Sequence, residues 1–151
     1  MSLADFSFPL RLGFGCSGAW GMGWFDEARA RAVLLRALER GVRHVDTAGF
    51  YAGGEAERRL GVALREFGEP VFVSTKTGTR YDSGTSRKDF GETVIRADVD
   101  ASLRRLGRDR LDLLYLHGPS RAELAQSLPV LAKLREAGKV ARWGVCGEGP
   151  G

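Results

Sequence analysis

Four side chains of this 151-residue sequence, Asp46, Tyr51, Lys76 and His117, are of types that together can move a proton. A free tyrosine, with a pKa of about 10, is a reluctant acid at neutral pH. A lysinium beside a phenol stabilises the phenolate and makes the phenol a better donor. A carboxylate beside the lysine keeps it charged and oriented. An imidazole can donate a hydrogen bond to an oxygen on which negative charge develops. Each residue also has a plainer reading. Asp46 could cap a turn through Thr47 and Ala48, Tyr51 could anchor a loop, Lys76 could be a surface charge, and His117 could end a strand bonded to backbone. The choice depends on whether the chain brings the four together.

The elements that must do so alternate in type. Arg11 to Phe14 reads as a short extended segment, followed by a loop through Gly13, Gly15, Gly18, Gly21 and Gly23. A helix starts at Asp26, with Ala30, Val33, Leu34, Ala37 and Leu38 at helical spacing, and stops at Gly41. Val42 to Thr47 reads as a strand. The next helix follows Gly53 and Gly54, carries Leu60, Ala63, Leu64 and Phe67 on one face, and ends at Gly68 and Pro70. Val71 to Lys76, then a helix from Val94 to Leu106, then Leu111 to His117 continue the pattern. Ser120 and Glu123 form a capping box that opens a last helical stretch, rebuilt at Pro129 and ended by Gly138, before a strand over Ala141 to Cys146. Strands and helices alternating at about 30 residues per unit predict a parallel sheet with right-handed crossovers. Asp46, Lys76 and His117 then fall at or near the C-terminal ends of successive strands, with Tyr51 in the loop after Asp46. In a parallel barrel those ends share one rim.

Composition narrows the function classes. The 43% hydrophobic and 28% charged residues suit one globular core, and the single domain is expected to span residues 1–151. The net charge of +4 is spread over helical stretches that interleave arginines with acids, a solvated-face pattern that argues against nucleic-acid binding. The two cysteines, Cys16 and Cys146, suggest no disulfide framework, and no apolar run approaches the roughly 20 residues that cross a bilayer. The expectation is a cytoplasmic protein with no membrane partner. The two histidines and two cysteines show no metal-ligand spacing, so no metal is expected. His44 shares the predicted face of Asp46 and reads as an interior packing residue.

Gly13-Phe14-Gly15-Cys16-Ser17-Gly18 matches the glycine fingerprint of dinucleotide-binding folds. Two features count against that reading. A bulky run, Ala19 to Phe25, stands where a helix N-terminus should meet pyrophosphate, and Asp46 lies further on than the usual spacing of about 20 residues.

A different likeness covers Arg11 to Gly144. Asp46-Thr47-Ala48-Gly49-Phe50-Tyr51, with Gly54-Glu55-Ala56-Glu57 and Leu60-Gly61, resembles the aldo-keto reductase signature. So do Ser74-Thr75-Lys76, Ser102 to Gly107, Leu111 to His117, and Glu136 to Val140, in order and spacing. The resemblance implies an α/β fold of the parallel (β/α) TIM-barrel type, incomplete here, with five strands and four helices. It implies an NAD(P)H-dependent oxidoreductase that reduces an aldehyde or ketone, a small carbonyl substrate, with Asp46, Tyr51, Lys76 and His117 catalytic and Tyr51 the proton donor. Trp20, Trp24 and Phe50, in rim loops, are candidates for an apolar substrate pocket, with loop packing the alternative.

A complete barrel of this kind takes about 250 residues, and five strands are placed here. The family's NADPH contacts come largely from later strands. At the end of the fifth, the usual Ser-Asn is replaced by Cys146-Gly147, leaving these two as the cofactor-binding candidates. The open edges of the first and fifth strands predict self-association. A catalytically silent barrel fragment with a binding or assembly role is the alternative to the reductase.

Overall fold

Helix ends in this chain are set by residues suited to them. In the computed structural model, which describes residues 12–82 and 85–147, Asp26 caps α1 (Glu27–Glu39) by accepting from the Arg29 amide at 2.7 Å. Gly68 and Gly107, both left-handed, end α2 (Glu55–Phe67) and α3 (Glu92–Leu106). Ser120 and Glu123 make both bonds of the expected capping box at the start of α4 (Arg121–Glu136).

Between the helices run β1 (Phe14–Gly15), β2 (His44–Asp46), β3 (Phe72–Thr77), β4 (Thr79–Asp82), β5 (Thr85–Lys88), β6 (Leu113–His117) and β7 (Trp143–Cys146). Five of these form one all-parallel sheet in the order β1-β2-β3-β6-β7. Successive parallel strands are therefore neighbours, with no reversal of strand order. A doubly wound dinucleotide-binding sheet reverses its order, whereas a barrel winds in one direction. The fold is the expected incomplete (β/α) barrel of five strands and four helices. The helices cover one face, where Val45, Val73, Leu114 and Leu116 meet Leu34, Leu38, Leu60, Ile95 and Leu131 in the core. The other face is the concave lumen side.

Register explains how residues distant in sequence share that side. Asp46 lies opposite Ser74, Lys76 opposite Tyr115, and His117 opposite Cys146. Side chains two apart on a strand point the same way. Asp46, Lys76 and His117 thus climb one face, each two residues further along its strand than the last.

Several local expectations need correction. The first strand is Phe14–Gly15, and Arg11 lies outside the described residues. Val33 is exposed, because the buried stripe of α1 is the narrower set Ala30, Leu34 and Leu38. α4 runs through Pro129 without a rebuilt start. Ala125, whose carbonyl loses its donor to the proline, is itself exposed and can turn that group to water. The hairpin of β4 and β5 was not foreseen, since its polar sequence shows no core-facing alternation. It leaves β3 through Gly78, whose φ of 91° and close cover by the Phe90 ring exclude a side chain.

Gly61 sets the approach of α2 to α3, because a Cβ there would lie 2.3 Å from the Arg105 carbonyl oxygen. Gly61→Ala is expected to cost about 1 to 3 kcal/mol through overpacking. A urea unfolding midpoint equal to that of the parent would refute this.

Candidate active site

Asp46 ends β2, and the chain is then tied to β3 by Thr47 N–H to the Ser74 carbonyl at 2.8 Å and Gly49 N–H to the Lys76 carbonyl at 3.3 Å. The loop next curls through a one-turn 3-10 helix, Tyr51–Gly54. Within it Ala52, Gly53 and Gly54 all have positive φ, at 49°, 65° and 96°. A left-handed alanine is strained by about 1 kcal/mol or more, and it stands directly after Tyr51. The strain is held by what lies beneath. Arg105 packs so closely under Gly54 that a Cβ there would meet its Nε at 2.4 Å, and its guanidinium donates to the fully buried Glu57 at 2.8 Å.

The loop brings Tyr51 over Lys76, whose Nζ lies 5.1 Å from the phenol ring centroid. Lys76 donates to Asp46 Oδ2 at 2.5 Å and to the Thr47 carbonyl at 2.8 Å, and its side chain is 6% exposed. Burial opposes the lysinium charge. The hydrogen bond and charge of Asp46, followed by the charge and hydrogen bond of Tyr51, outweigh that penalty, so the Lys76 pKa is raised. The sign of the linkage follows. The stabilisation is fully present below the pKa of an unfolded lysine and is lost as pH rises through the higher folded value. Asp46→Asn is expected to lower the Lys76 titration midpoint, followed by NMR of lysine labelled at Cε. An unmoved or raised midpoint would contradict this account.

His117 closes the group from β6. Its Nδ1 lies 3.0 Å from Thr79 Oγ1, and its ring stacks on Phe50 at 5.2 Å with 27° between planes. Phe50 also meets Tyr51 edge-on at 4.8 Å. Behind this loop, Phe50, Thr79, Arg80, Tyr81, Asp98 and Arg105 help to line a cavity of about 180 Å³.

The structure distributes the three candidate aromatics differently. Phe50 sits among Tyr51 and His117. Trp20 is buried in the core, its indole donating to the Ala30 carbonyl at 2.9 Å and its ring edge-on to Phe14 at 5.7 Å, which is a loop-packing position. Trp24 is exposed beside Phe25. The loop that carries both tryptophans is clamped by the buried Arg59, which donates to the carbonyls of Trp20 at 2.8 Å, Met22 at 3.0 Å and Phe25 at 2.9 Å. Cys146 lies opposite His117 on β7, its carbonyl accepting from Gly118 N–H at 2.7 Å, and Gly147 follows it.

Sequence reasoning missed Ser74, Thr79 and Lys88. Ser74 donates to Asp46 Oδ1 at 2.8 Å, and its position two before Lys76 was a usable signal. Lys88 donates to Thr79 Oγ1 at 3.1 Å and to the His117 carbonyl at 2.8 Å. Both Thr79 and Lys88 come from the unforeseen hairpin, and no sequence pattern marks them.

Cys16 is also at the site's edge, its amide donating to the Asp46 carbonyl at 2.8 Å. Burial pushes its thiol pKa well up, Asp46 adds to this, and Lys76 opposes it. The half-buried Cys146 is therefore expected to alkylate first under native conditions. Mass mapping after a limiting dose of iodoacetamide tests this, and equal labelling of both cysteines would refute it.

The chain is similar to known proteins over most of its length. The model of the aldo/keto reductase family matches residues 11–151. A D-threo-aldose 1-dehydrogenase of a Pseudomonas species is 35% identical over 89% of this chain and 49% of its own length. The holo form of an aldo-keto reductase from Bacillus halodurans superposes with a TM-score of 0.81 at 32% identity, covering 92% of this chain and 46% of the other. An aldo-keto reductase of Klebsiella pneumoniae in complex with NADPH gives 0.72 at 28% identity, covering 88% and 44%. The chain spans about half the length of these relatives.

Proposed function

The chain belongs to the aldo/keto reductase family, and on that premise we propose that its site serves the NADPH-dependent reduction of a small aldehyde or ketone, with Tyr51 as proton donor. The observation that carries the proposal is the convergence of Asp46, Lys76 and Tyr51, with His117 on the same strand-end rim. NADPH, when bound, supplies the hydride to the carbonyl carbon. The chain's own residues handle the oxygen. As negative charge grows there, the Tyr51 hydroxyl gives up its proton to form the alcohol, and the resulting tyrosinate is stabilised by the Lys76 ammonium. Asp46 and the Thr47 carbonyl hold that ammonium in place.

His117 would orient the carbonyl by donating from Nε2. Its hydrogen bonding supports this tautomer. Lys88 can only donate, so the Thr79 hydroxyl accepts from it and keeps its own proton to offer to His117 Nδ1, an arrangement compatible with a ring proton on Nε2. Beside His117, the lumen side of β6 and β7 carries Tyr115, Gly144 and Cys146. These three residues carry no formal charge, which is compatible with the nicotinamide end of the cofactor. To the carboxamide, Cys146 and Gly147 offer a thiol and backbone. The position of Phe50 beside Tyr51 and His117 supports a contact with an apolar part of the substrate.

NADPH fluorescence titration of the chain tests the proposal. A saturable change is expected. A flat response would favour a catalytically silent barrel fragment instead.

A further inference from the structure

Asp46 must be both charged and fixed in orientation if it is to serve Lys76. Its side chain is 38% exposed, so water competes for its oxygens. The bonds around it leave little freedom. Oδ2 faces Lys76 at 2.5 Å, Oδ1 accepts from Ser74 Oγ at 2.8 Å, and Ser74 Oγ lies 2.9 Å from His44 Nε2. His44 and Asp46 are two apart on β2, and Ser74 is the register partner of Asp46 on β3, so all three project to the lumen side.

Proton counting gives these bonds a direction. A carboxylate only accepts, and a serine hydroxyl has one proton, which goes to Asp46. Ser74 Oγ must then accept from His44, and Nε2 must carry a hydrogen. Taking Asp46 and Lys76 as the proton-transfer site described above, we propose that His44 and Ser74 are its positioning residues. They form a one-way chain, His44 Nε2–H to Ser74 Oγ–H to Asp46 Oδ1, which keeps the other carboxylate oxygen on Lys76.

The surroundings suit that role. The His44 ring is confined by the Phe72 ring, edge-on at 5.4 Å, and by Gly13, where a Cβ would come within 3.3 Å of Nδ1. Burial lowers the His44 pKa, with Asp46 opposing and Lys76 assisting. The ring is therefore neutral near pH 7, and its single proton occupies one nitrogen. The chain requires that nitrogen to be Nε2.

Long-range proton–nitrogen NMR of the 151-residue chain, labelled with ¹⁵N-histidine, reads the tautomer directly. The His44 signals are identified by their loss in His44→Gln. The expected result is Nε2–H. A proton on Nδ1 would overturn the proposal, because Ser74 would then have to donate to His44 and leave Asp46 Oδ1 without its donor. In Ser74→Ala the Nε2 proton loses its acceptor and is expected to exchange with water about fivefold to tenfold faster. Positioning is read at Lys76. In the same variant its titration midpoint is expected to fall, as the released carboxylate turns from Nζ toward water. A merely structural hydroxyl would leave that midpoint unmoved, and an unmoved or raised midpoint refutes the proposal. None of these readouts needs cofactor or turnover. An Nε2 tautomer with a flat NADPH titration overturns the proposed activity alone, whereas an Nδ1 tautomer with saturable NADPH binding overturns the hydrogen-bond chain alone.

Discussion

Tyr51→Phe is expected to lower the rate of NADPH-dependent carbonyl reduction by about 10²- to 10⁴-fold, the usual loss when a general acid is removed. The substitution deletes one hydroxyl and little else. The ring keeps its edge contact with Phe50 at 4.8 Å and its place above the Lys76 ammonium at 5.1 Å, so the loop should hold its shape. NADPH affinity and unfolding temperature should stay near those of the parent. Steady-state NADPH oxidation with a reactive aldehyde gives the comparison. An undiminished rate in the variant would remove Tyr51 from the chemistry. A loss of rate together with a lowered unfolding temperature would point to a packing role instead.

Arg105→Met is expected to be the largest single loss of stability, about 3 kcal/mol. Glu57 is 0% exposed and accepts from Thr75 Oγ1 at 2.7 Å and Arg105 Nη1 at 2.8 Å. Removing the guanidinium leaves a buried carboxylate with a hydroxyl donor but no countercharge, a defect that costs about 3 to 5 kcal/mol in buried pairs. The low end applies because Arg105 itself is 33% exposed. Arg105 also fills the space under Gly54, so the loop that carries Tyr51 should loosen as well. Adding Glu57→Gln to the variant removes the stranded charge and should restore part of the stability. Urea unfolding of the four members of this cycle measures the coupling. Additive effects would show that the pair does not act as a unit.

The two sites differ in how far they could be read in advance. Asp46, Tyr51, Lys76 and His117 were legible because strand ends can be located from hydrophobic spacing and because their motifs resemble one family throughout. Glu57 and Arg105 were visible only as members of those motifs, and nothing in their spacing announced that they would pair across α2 and α3. Trp20 and Phe50 looked equivalent as aromatic residues in rim loops. Only the path of each loop separated them, sending Trp20 onto the Ala30 carbonyl and Phe50 onto His117.

The sequence by itself determined the alternating helices and parallel strands, their order, and the four residues expected at the rim of the sheet. These depend on local spacing: an apolar stripe every three or four residues, a strand between two stops, a glycine where a helix must end. Tertiary structure alone decided the hairpin that supplies Thr79 and Lys88, the direction of the bonds from His44 through Ser74 to Asp46, and the support of the Tyr51 loop by Arg105. The physical reason is register. Which residue of β3 lies beside Asp46 depends on how parallel strands slide past one another when the sheet forms, and that shift is fixed by packing across the whole layer of helices rather than by any stretch of sequence.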